Sequence, residues 1–186
     1  GRPAADTAGM MAAWTRIVAC GTALGIRKAV AAKGRDLAPG DVEDLSLSAM
    51  DYARTISGAD YLDAIGKVHA YGREMAGFFD GGWDILLTAT LAEPPARVGR
   101  FSHKGADYVS YRMGEGMIFD YSPFCAAFNA SGQPAVSLPL AMSADGLPIG
   151  IHLAAPFGAD EELIALSAEV EAAVPWAARR PVMTWN

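Results

Sequence analysis

The chain has 186 residues, of which 52% are apolar and 19% charged, so a disordered chain is excluded and one domain with a substantial core is expected. The net charge of −6 comes without a basic tract, which argues against nucleic acid or an anionic membrane surface as a partner. Two cysteines are too few for a disulfide scaffold and indicate a reducing cytoplasm.

The N-terminal residues carry neither an initiating Met nor the apolar stretch of a signal peptide. A tag remnant or a start in the middle of a gene product would each explain this. No apolar run is expected to approach the roughly 20 residues of a membrane span. We therefore expect a single segment, residues 1–186, with no membrane contact.

Residues 1–80 are predicted to be mostly helical. Apolar residues at helical spacing predict a first helix from about Thr7 that ends at Lys33-Gly34. Asp41 is placed to cap a second helix, and Ser57 is placed to cap a third.

The third predicted helix has an apolar stripe that includes Gly72. A glycine inside a helix costs about 1 kcal/mol relative to alanine, so Gly72 predicts close approach of another backbone.

Residues 81–186 are predicted to hold strands, loops and a closing helix. Trp83–Thr88 is a short apolar run between turn signals and predicts a buried strand. Ala135–Leu138 and Ile149–Leu153 are predicted strands, joined through the turn dipeptide Asp145-Gly146.

Two further helices are predicted, one around Val109–Ala127 and one over Asp160–Val174. Together with the strands they indicate an α/β fold class.

The three histidines are interpreted as structural residues. His69 lies on the rim of a helix, His103 in a polar surface loop, and His152 in a buried strand. A hydrolytic pair of Ser137 and His152 would lack both a nucleophile elbow and an orienting acid. The cysteines lack the spacing of a zinc site.

Three segments carry recognisable motifs: Phe128–Leu140 (FNASGQPAVSLPL), Asp145–Leu153 (DGLPIGIHL) and Trp83–Thr90 (WDILLTAT). The first two resemble consecutive late blocks of the amidase-signature family, and the third resembles a strand upstream of those blocks. Ala89 stands where that strand usually has a proline. The sequences of Tyr71–Met75, Ser122–Phe124 and Gly132–Pro134 most resemble the branch of this family labelled 6-aminohexanoate-cyclic-dimer hydrolase-like.

The closing part of the chain also resembles this family, in the Asp160–Ile164 helix start and the Pro175–Pro181 ending. Within the main block, Pro134 and Pro139 are expected to bracket a strand, and Gly132 to permit a turn. The positions expected to be structural are Asn129, Gly132, Pro134, Pro139, Gly146 and Gly150.

The resemblance implies the C-terminal portion of the amidase-signature fold, a mixed central β-sheet covered by helices. It implies hydrolysis of carbon–nitrogen bonds in linear or cyclic amides by a Ser, a cis-peptide Ser and a Lys. This chain has no Gly-Gly-Ser-Ser cluster, so no catalytic residue is assigned and the chain alone is expected to be inactive. No cofactor and no metal are implied.

The resemblance places the chain at one wall of the substrate pocket. The residues expected there are Cys20, Phe124, Cys125 and Phe128. The expected partners are the N-terminal part of the same amidase and a small amide substrate, with a homodimer left open. An exposed strand edge and exposed apolar helix faces are expected where the N-terminal part would pack.

Two alternatives remain open. The chain could belong to an amidotransferase A-type subunit, which hands ammonia to a partner. It could also be a non-catalytic binding domain derived from an amidase.

Overall fold

A computed structural model describes residues 1–180, which form seven helices and three strands. Pro181, the last residue of the ending that resembles the amidase-signature family, lies outside the described residues. In chain order the elements are α1 Thr7–Lys33, α2 Asp44–Arg54, α3 Gly58–Asp80, β1 Leu86–Ala89, α4 Tyr108–Met113, α5 Ile118–Tyr121, α6 Cys125–Ser131, β2 Ala135–Met142, β3 Pro148–Ala154 and α7 Asp160–Ala173.

The C-terminus of α1 and the N-terminus of α3 are set by local residues, as predicted. Helix α1 ends at Gly34, whose φ of 64° is the left-handed conformation that favours glycine. Helix α3 begins with a capping box, in which the Ser57 side chain accepts from the Asp60 N–H and the Asp60 carboxylate accepts from the Ser57 N–H.

The prediction that Asp41 caps the second helix is wrong. Helix α2 begins at Asp44, and its N-cap residue Glu43 makes no side-chain capping bond. The Asp41 carboxylate instead accepts from the Arg35 guanidinium, at 2.6 and 2.9 Å, and from the Ala38 N–H. Asp41 therefore closes the loop between α1 and α2.

The single helix predicted around Val109–Ala127 is also wrong, because the chain forms three short helices there. Gly116 lies between α4 and α5 with a φ of 69°, which a continuous helix does not allow. Pro123 lies between α5 and α6 and cannot donate a helical hydrogen bond.

Helix α1 has the length and composition of a membrane span, with a mean hydropathy of 1.2 over 18 residues. This corrects the expectation that no apolar run approaches that length. One such helix is weak support for a membrane, because core helices of globular proteins have the same composition. One side of α1 packs against α2, α3 and α6.

The three strands form an antiparallel sheet in the order β1-β3-β2. The predicted turn-linked pair is confirmed: Ser143 and Leu147 close the connection, and Gly146 adopts a φ of 75° within it. Both pairings of these strands are antiparallel, so the mixed sheet implied by the resemblance stays a prediction for a longer protein. The α/β class is confirmed.

Two strand limits differ from the prediction. Strand β1 begins at Leu86 rather than Trp83, because the Trp83 N–H still bonds to Phe79 and its ring stacks on Phe78. Pro139 lies inside β2 rather than at its end, at the irregularity between Leu138 and Ala141 where the register shifts.

Helices cover both faces of the sheet. Helices α1, α3 and α6 pack on one face through a cluster that includes Met10, Met75 and Phe128. Helix α7 covers the other face, where Leu163 packs against Leu138 and Leu153. Gly72 faces the Ser131 backbone, with a Cβ position 3.6 Å from that carbonyl oxygen, which confirms the predicted close approach.

Several large apolar side chains are mostly exposed in the described part of the chain. Those with the highest exposure are Leu62 (70%), Leu87 (64%), Val98 (106%), Phe157 (77%) and Ile164 (69%). Leu87 lies on β1, an edge strand of this sheet. Such surfaces favour a partner that covers them.

Candidate functional site

A cleft of about 360 Å³, here called the helix cleft, lies between α6 and the sheet. Its lining consists of Thr90, Cys125, Phe128, Asn129, Gln133, Ala135, Val136, Ser137 and His152. Helix α6 supplies one wall, and the cross-strand pair of Ser137 on β2 and His152 on β3 supplies the other. The motif that resembles the amidase-signature family therefore folds into a concave surface.

A pair of hydroxyl groups lies on this surface. The Oγ atoms of Thr90 and Ser137 are 2.6 Å apart, so one of the two hydroxyls donates to the other. The pair crosses over Gly150, where a Cβ atom would lie 2.5 Å from each oxygen. These short distances show that close packing requires a glycine at position 150. Its backbone conformation does not require one, because its φ is not in the left-handed region.

His152 is a satisfied core histidine, as predicted. It is 5% exposed, its Nδ1 lies 3.2 Å from the Thr88 Oγ1, and its ring packs on Phe128. Burial lowers the pKa of the imidazole. Ser137 and His152 are direct cross-strand neighbours, yet their side chains bond to other residues: His152 to Thr88 of β1, and Ser137 to Thr90 just after β1.

A second cleft of about 350 Å³, here called the proline cleft, adjoins the first. Its lining consists of Thr90, Leu91, Glu93, Pro94, Pro95, Ser137, Pro139, Pro148, Ile149 and Gly150. The Glu93 carboxylate pairs with Arg100 at 2.7 Å, and this hydrogen bond lowers its pKa. The two clefts share Thr90 and Ser137.

Two of the four residues predicted for the pocket wall line the helix cleft, namely Cys125 and Phe128. Phe124 precedes α6 and does not line it. Cys20 lies on α1 near Tyr108, away from this cleft, and burial raises the pKa of its thiol. All four remain predictions as substrate-contacting residues.

Three of the predicted structural positions, Asn129, Gly132 and Pro134, lie between the last turn of α6 and the start of β2. Gly132 ends α6 with a φ of 79°, and its N–H donates to the Phe128 carbonyl. The Pro134 carbonyl accepts from the Ala155 N–H, which continues the pairing of β2 and β3. Asn129 lies in the last turn of α6 and lines the cleft.

Sequence reasoning missed Thr90 and Gln133, which also line the helix cleft. The Gln133 side chain is buried and accepts from the Ser131 hydroxyl at 2.8 Å. The alternation of Thr88 and Thr90 is a signal for one polar strand face. Its relation to Ser137 depends on the sheet register, which only the fold shows.

Metal binding is not supported by any side-chain cluster in residues 1–180, since no three His, Cys, Asp or Glu residues group there.

The family model described as Amidase matches residues 31–164, most of the chain. The chain belongs to the amidase-signature family. The 6-aminohexanoate-cyclic-dimer hydrolase of Paenarthrobacter ureafaciens is 33% identical over 151 residues, which are 80% of this chain and 30% of that protein. This chain therefore spans about a third of the length of the relatives it matches.

Solved structures agree with this membership. The structure of 6-aminohexanoate cyclic dimer hydrolase matches with a TM-score of 0.81 and 28% identity, over 92% of this chain and 36% of that one. A bacterial aryl acylamidase of the amidase-signature family matches with a TM-score of 0.71 and 28% identity, over 97% of this chain and 38% of that one.

Proposed function

We propose that this chain forms one wall of the substrate cleft in an amidase that hydrolyses the carbon–nitrogen bonds of linear or cyclic amides. The observation that carries the proposal is the helix cleft, which the family-like Phe128–Leu140 segment forms with β3. The names of the similar proteins, hydrolases of amides, support the reaction class.

The reacting groups are proposed to lie outside these residues, as a Ser, a cis-peptide Ser and a Lys. Ser137 is unsuited to be the nucleophile, because the only hydrogen-bond partner of its hydroxyl in the described part of the chain is the Thr90 hydroxyl rather than a base. The chain's own contribution is then to position the substrate, which accounts for a large share of enzymatic rate acceleration.

The proposed partner is the N-terminal part of the same amidase, working in the cytoplasm. The exposed side chains of Leu87, Phe157 and Ile164 support a covering partner. The relatives' greater length supports the same view, since the chain spans only 30% of the Paenarthrobacter ureafaciens hydrolase.

The test compares the complete gene product with residues 1–186 alone, using release of amine from small linear and cyclic amides. The complete product should hydrolyse them, and the isolated chain should not. Asn129→Trp, an exposed helical residue in the helix cleft, should lower kcat/KM, while the matched surface change Glu169→Trp on α7 should not. Amide turnover by the isolated chain would disprove the assignment of catalysis to other residues.

The amidotransferase alternative predicts a different result. Such a subunit would transfer ammonia to an acceptor held by a partner, so simple amides would be poor substrates without that partner. Assaying ammonia transfer beside free amine release separates the two. The hydrolase names of the relatives favour release into water.

A further inference from the structure

Arg112 of α4 has a guanidinium that is held in place by three neighbours. Its central carbon lies over two aromatic rings, 5.5 Å from the centroid of Tyr108 and 4.8 Å from that of Phe119. Its Nε donates to the Thr15 Oγ1 at 3.3 Å, and Thr15 itself is buried. Aromatic rings at these distances attract the cation electrostatically. The guanidinium is therefore positioned before any ligand arrives.

The charge of Arg112 is not balanced by a carboxylate of residues 1–180. No salt bridge in that part of the chain includes it. Asp120, the acid on α5, has its carboxylate on the Gly116 N–H instead, at 2.7 Å. Burial lowers the pKa of the guanidinium, because the charged form loses part of its hydration. A carboxylate is the partner that offsets such a loss, through an ion pair with hydrogen bonds.

The Nη1 and Nη2 groups of Arg112 are the donors that remain for a ligand. Within residues 1–180 the guanidinium makes one hydrogen bond, the one from Nε to Thr15. The Nη groups also reach the surface, since His103 Nδ1 is the one enclosed side-chain nitrogen or oxygen without a partner in that part of the chain. Two parallel N–H groups match the two oxygens of a carboxylate. The geometry suits a carboxylate that arrives from outside these residues.

Arg112 lies beside residues that were predicted for the wall of the substrate pocket. Its charge and that of the Cys20 thiol both act on the Tyr108 hydroxyl, so these three side chains lie near one another. Phe119, under the guanidinium, packs against the cluster that contains Phe128, a residue of the helix cleft. A carboxylate bound at Arg112 can therefore belong to a molecule that lies along this wall, which favours the substrate as its source.

We propose that Arg112 binds a free carboxylate on the substrate, so that linear amides carrying a carboxylate are preferred to their neutral analogues. The carboxylate accepts from both Nη groups, and the amide bond that is cleaved lies elsewhere on the same molecule. Arg112 binds and orients the substrate, and a guanidinium that stays protonated takes no part in proton transfer. This inference rests on the proposed function and adds the recognised group to it.

The experiment uses the complete gene product and two series of linear amides, each an acid matched by the alcohol in which CH2OH replaces the carboxylate. Monoanilides of dicarboxylic acids carry the charge on the acyl side, and N-alkanoyl-aminophenylacetates carry it on the amine side. Release of the aromatic amine is the readout. In one series the acid should have a KM about tenfold or more below that of its alcohol, as expected for a charge-assisted bidentate contact.

Arg112→Met removes the charge and the N–H groups but keeps an unbranched side chain. It should raise KM for the preferred acid about tenfold or more with kcat retained, and KM for the alcohol less than about twofold. Arg112→Lys keeps a charge without the planar fork, so its KM for the acid should lie between the two. Arg54→Met is the matched control, because it removes an exposed guanidinium that pairs with Asp51, and it should alter neither KM.

Circular dichroism should show the three variants folded, and if Arg112→Met does not fold, the same comparison with Arg112→Lys decides. Equal changes in KM for acid and alcohol would overturn the inference, and they are expected if Arg112 pairs with a carboxylate of the N-terminal part instead. Wild-type protein that prefers neither acid to its alcohol would also overturn it. In both cases the amidase function stands.

If the complete product cleaves no anilide at all, the proposed function fails on that substrate class. Titration calorimetry with the same acids and alcohols then decides the inference separately. Acid binding that Arg112→Met weakens, beside unchanged binding of the alcohol, would uphold it. Absent binding, or equal weakening of both, would overturn it.

Discussion

Substituting Gly150 by alanine tests whether close packing around the hydroxyl pair demands a glycine. The new Cβ would lie 2.5 Å from the oxygens of Thr90 and Ser137, and 3.0 Å from the Thr90 Cβ. Each oxygen would have to move by roughly 0.9 Å to reach an ordinary contact. Side chains can rotate to do this, but the hydrogen bond between them is then lost.

The expected cost is about 2 kcal/mol of unfolding free energy. Overpacking a tight site costs about 1–3 kcal/mol, and a lost neutral hydrogen bond costs about 0.5–1.5 kcal/mol. In a Thr90→Ala/Ser137→Ala background both oxygens are absent and only the 3.0 Å contact to the Cβ of residue 90 remains, so Gly150→Ala should cost less than about 1 kcal/mol. Urea denaturation of the complete gene product measures the loss of unfolding free energy in each background. The difference between the two losses is the cost of the clash between the new Cβ and the two hydroxyl oxygens.

Gly146→Ala is the matched control. Gly146 has a φ of 75° and open space at its Cβ position, so its substitution should cost about 1 kcal/mol from backbone strain alone. That cost should be the same in both backgrounds. If Gly150→Ala were equally costly with and without the two hydroxyls, the packing argument would be refuted.

Three further stability predictions and one on reactivity concern single residues. Ser57→Ala should cost about 1 kcal/mol by removing the cap of α3, whereas Ser57→Gly should cost only a few tenths in urea titrations. The hydrogen bond from Arg35 holds the pKa of Asp41 below its usual range, so Asp41→Asn should destabilise at neutral pH. That difference should shrink as pH falls through the acid range below the usual carboxyl pKa of about 4, and a difference that grows in acid would contradict it. Because burial raises the pKa of Cys20, iodoacetamide should alkylate it more slowly at pH 8 than a cysteine peptide, as followed by mass spectrometry. Phe128→Ala should cost about 3–5 kcal/mol, and a loss below about 1 kcal/mol would exclude Phe128 from the core.

Much of the candidate site was accessible from sequence because its segment is a recognisable block. Cys125, just before that block, and Phe128, at its start, were expected at the pocket wall; both line the helix cleft, and their contact with substrate stays a prediction. Phe124, the N-cap residue of α6, is adjacent in sequence yet does not line the cleft. Sequence distance is a poor guide to which side of a short helix faces a cleft.

The sequence by itself determined the elements whose signals are local: the cap of α3 at Ser57, the glycine that ends α1, the turn at Gly132 and the Gly146 turn that joins two strands. These depend on contacts a few residues apart, so residue type and spacing specify them. Family membership followed from the same local blocks.

Only the tertiary structure decided which residues meet. Thr90 and Ser137 are 47 positions apart, and their hydroxyls meet over Gly150 of β3, which has no side chain to separate them. Gly150 is needed there for its missing side chain rather than for its backbone angle, and no local pattern distinguishes the two reasons. Asp41 likewise bonds to Arg35 rather than capping α2, because a nearby guanidinium competes with the helix N–H groups for one carboxylate.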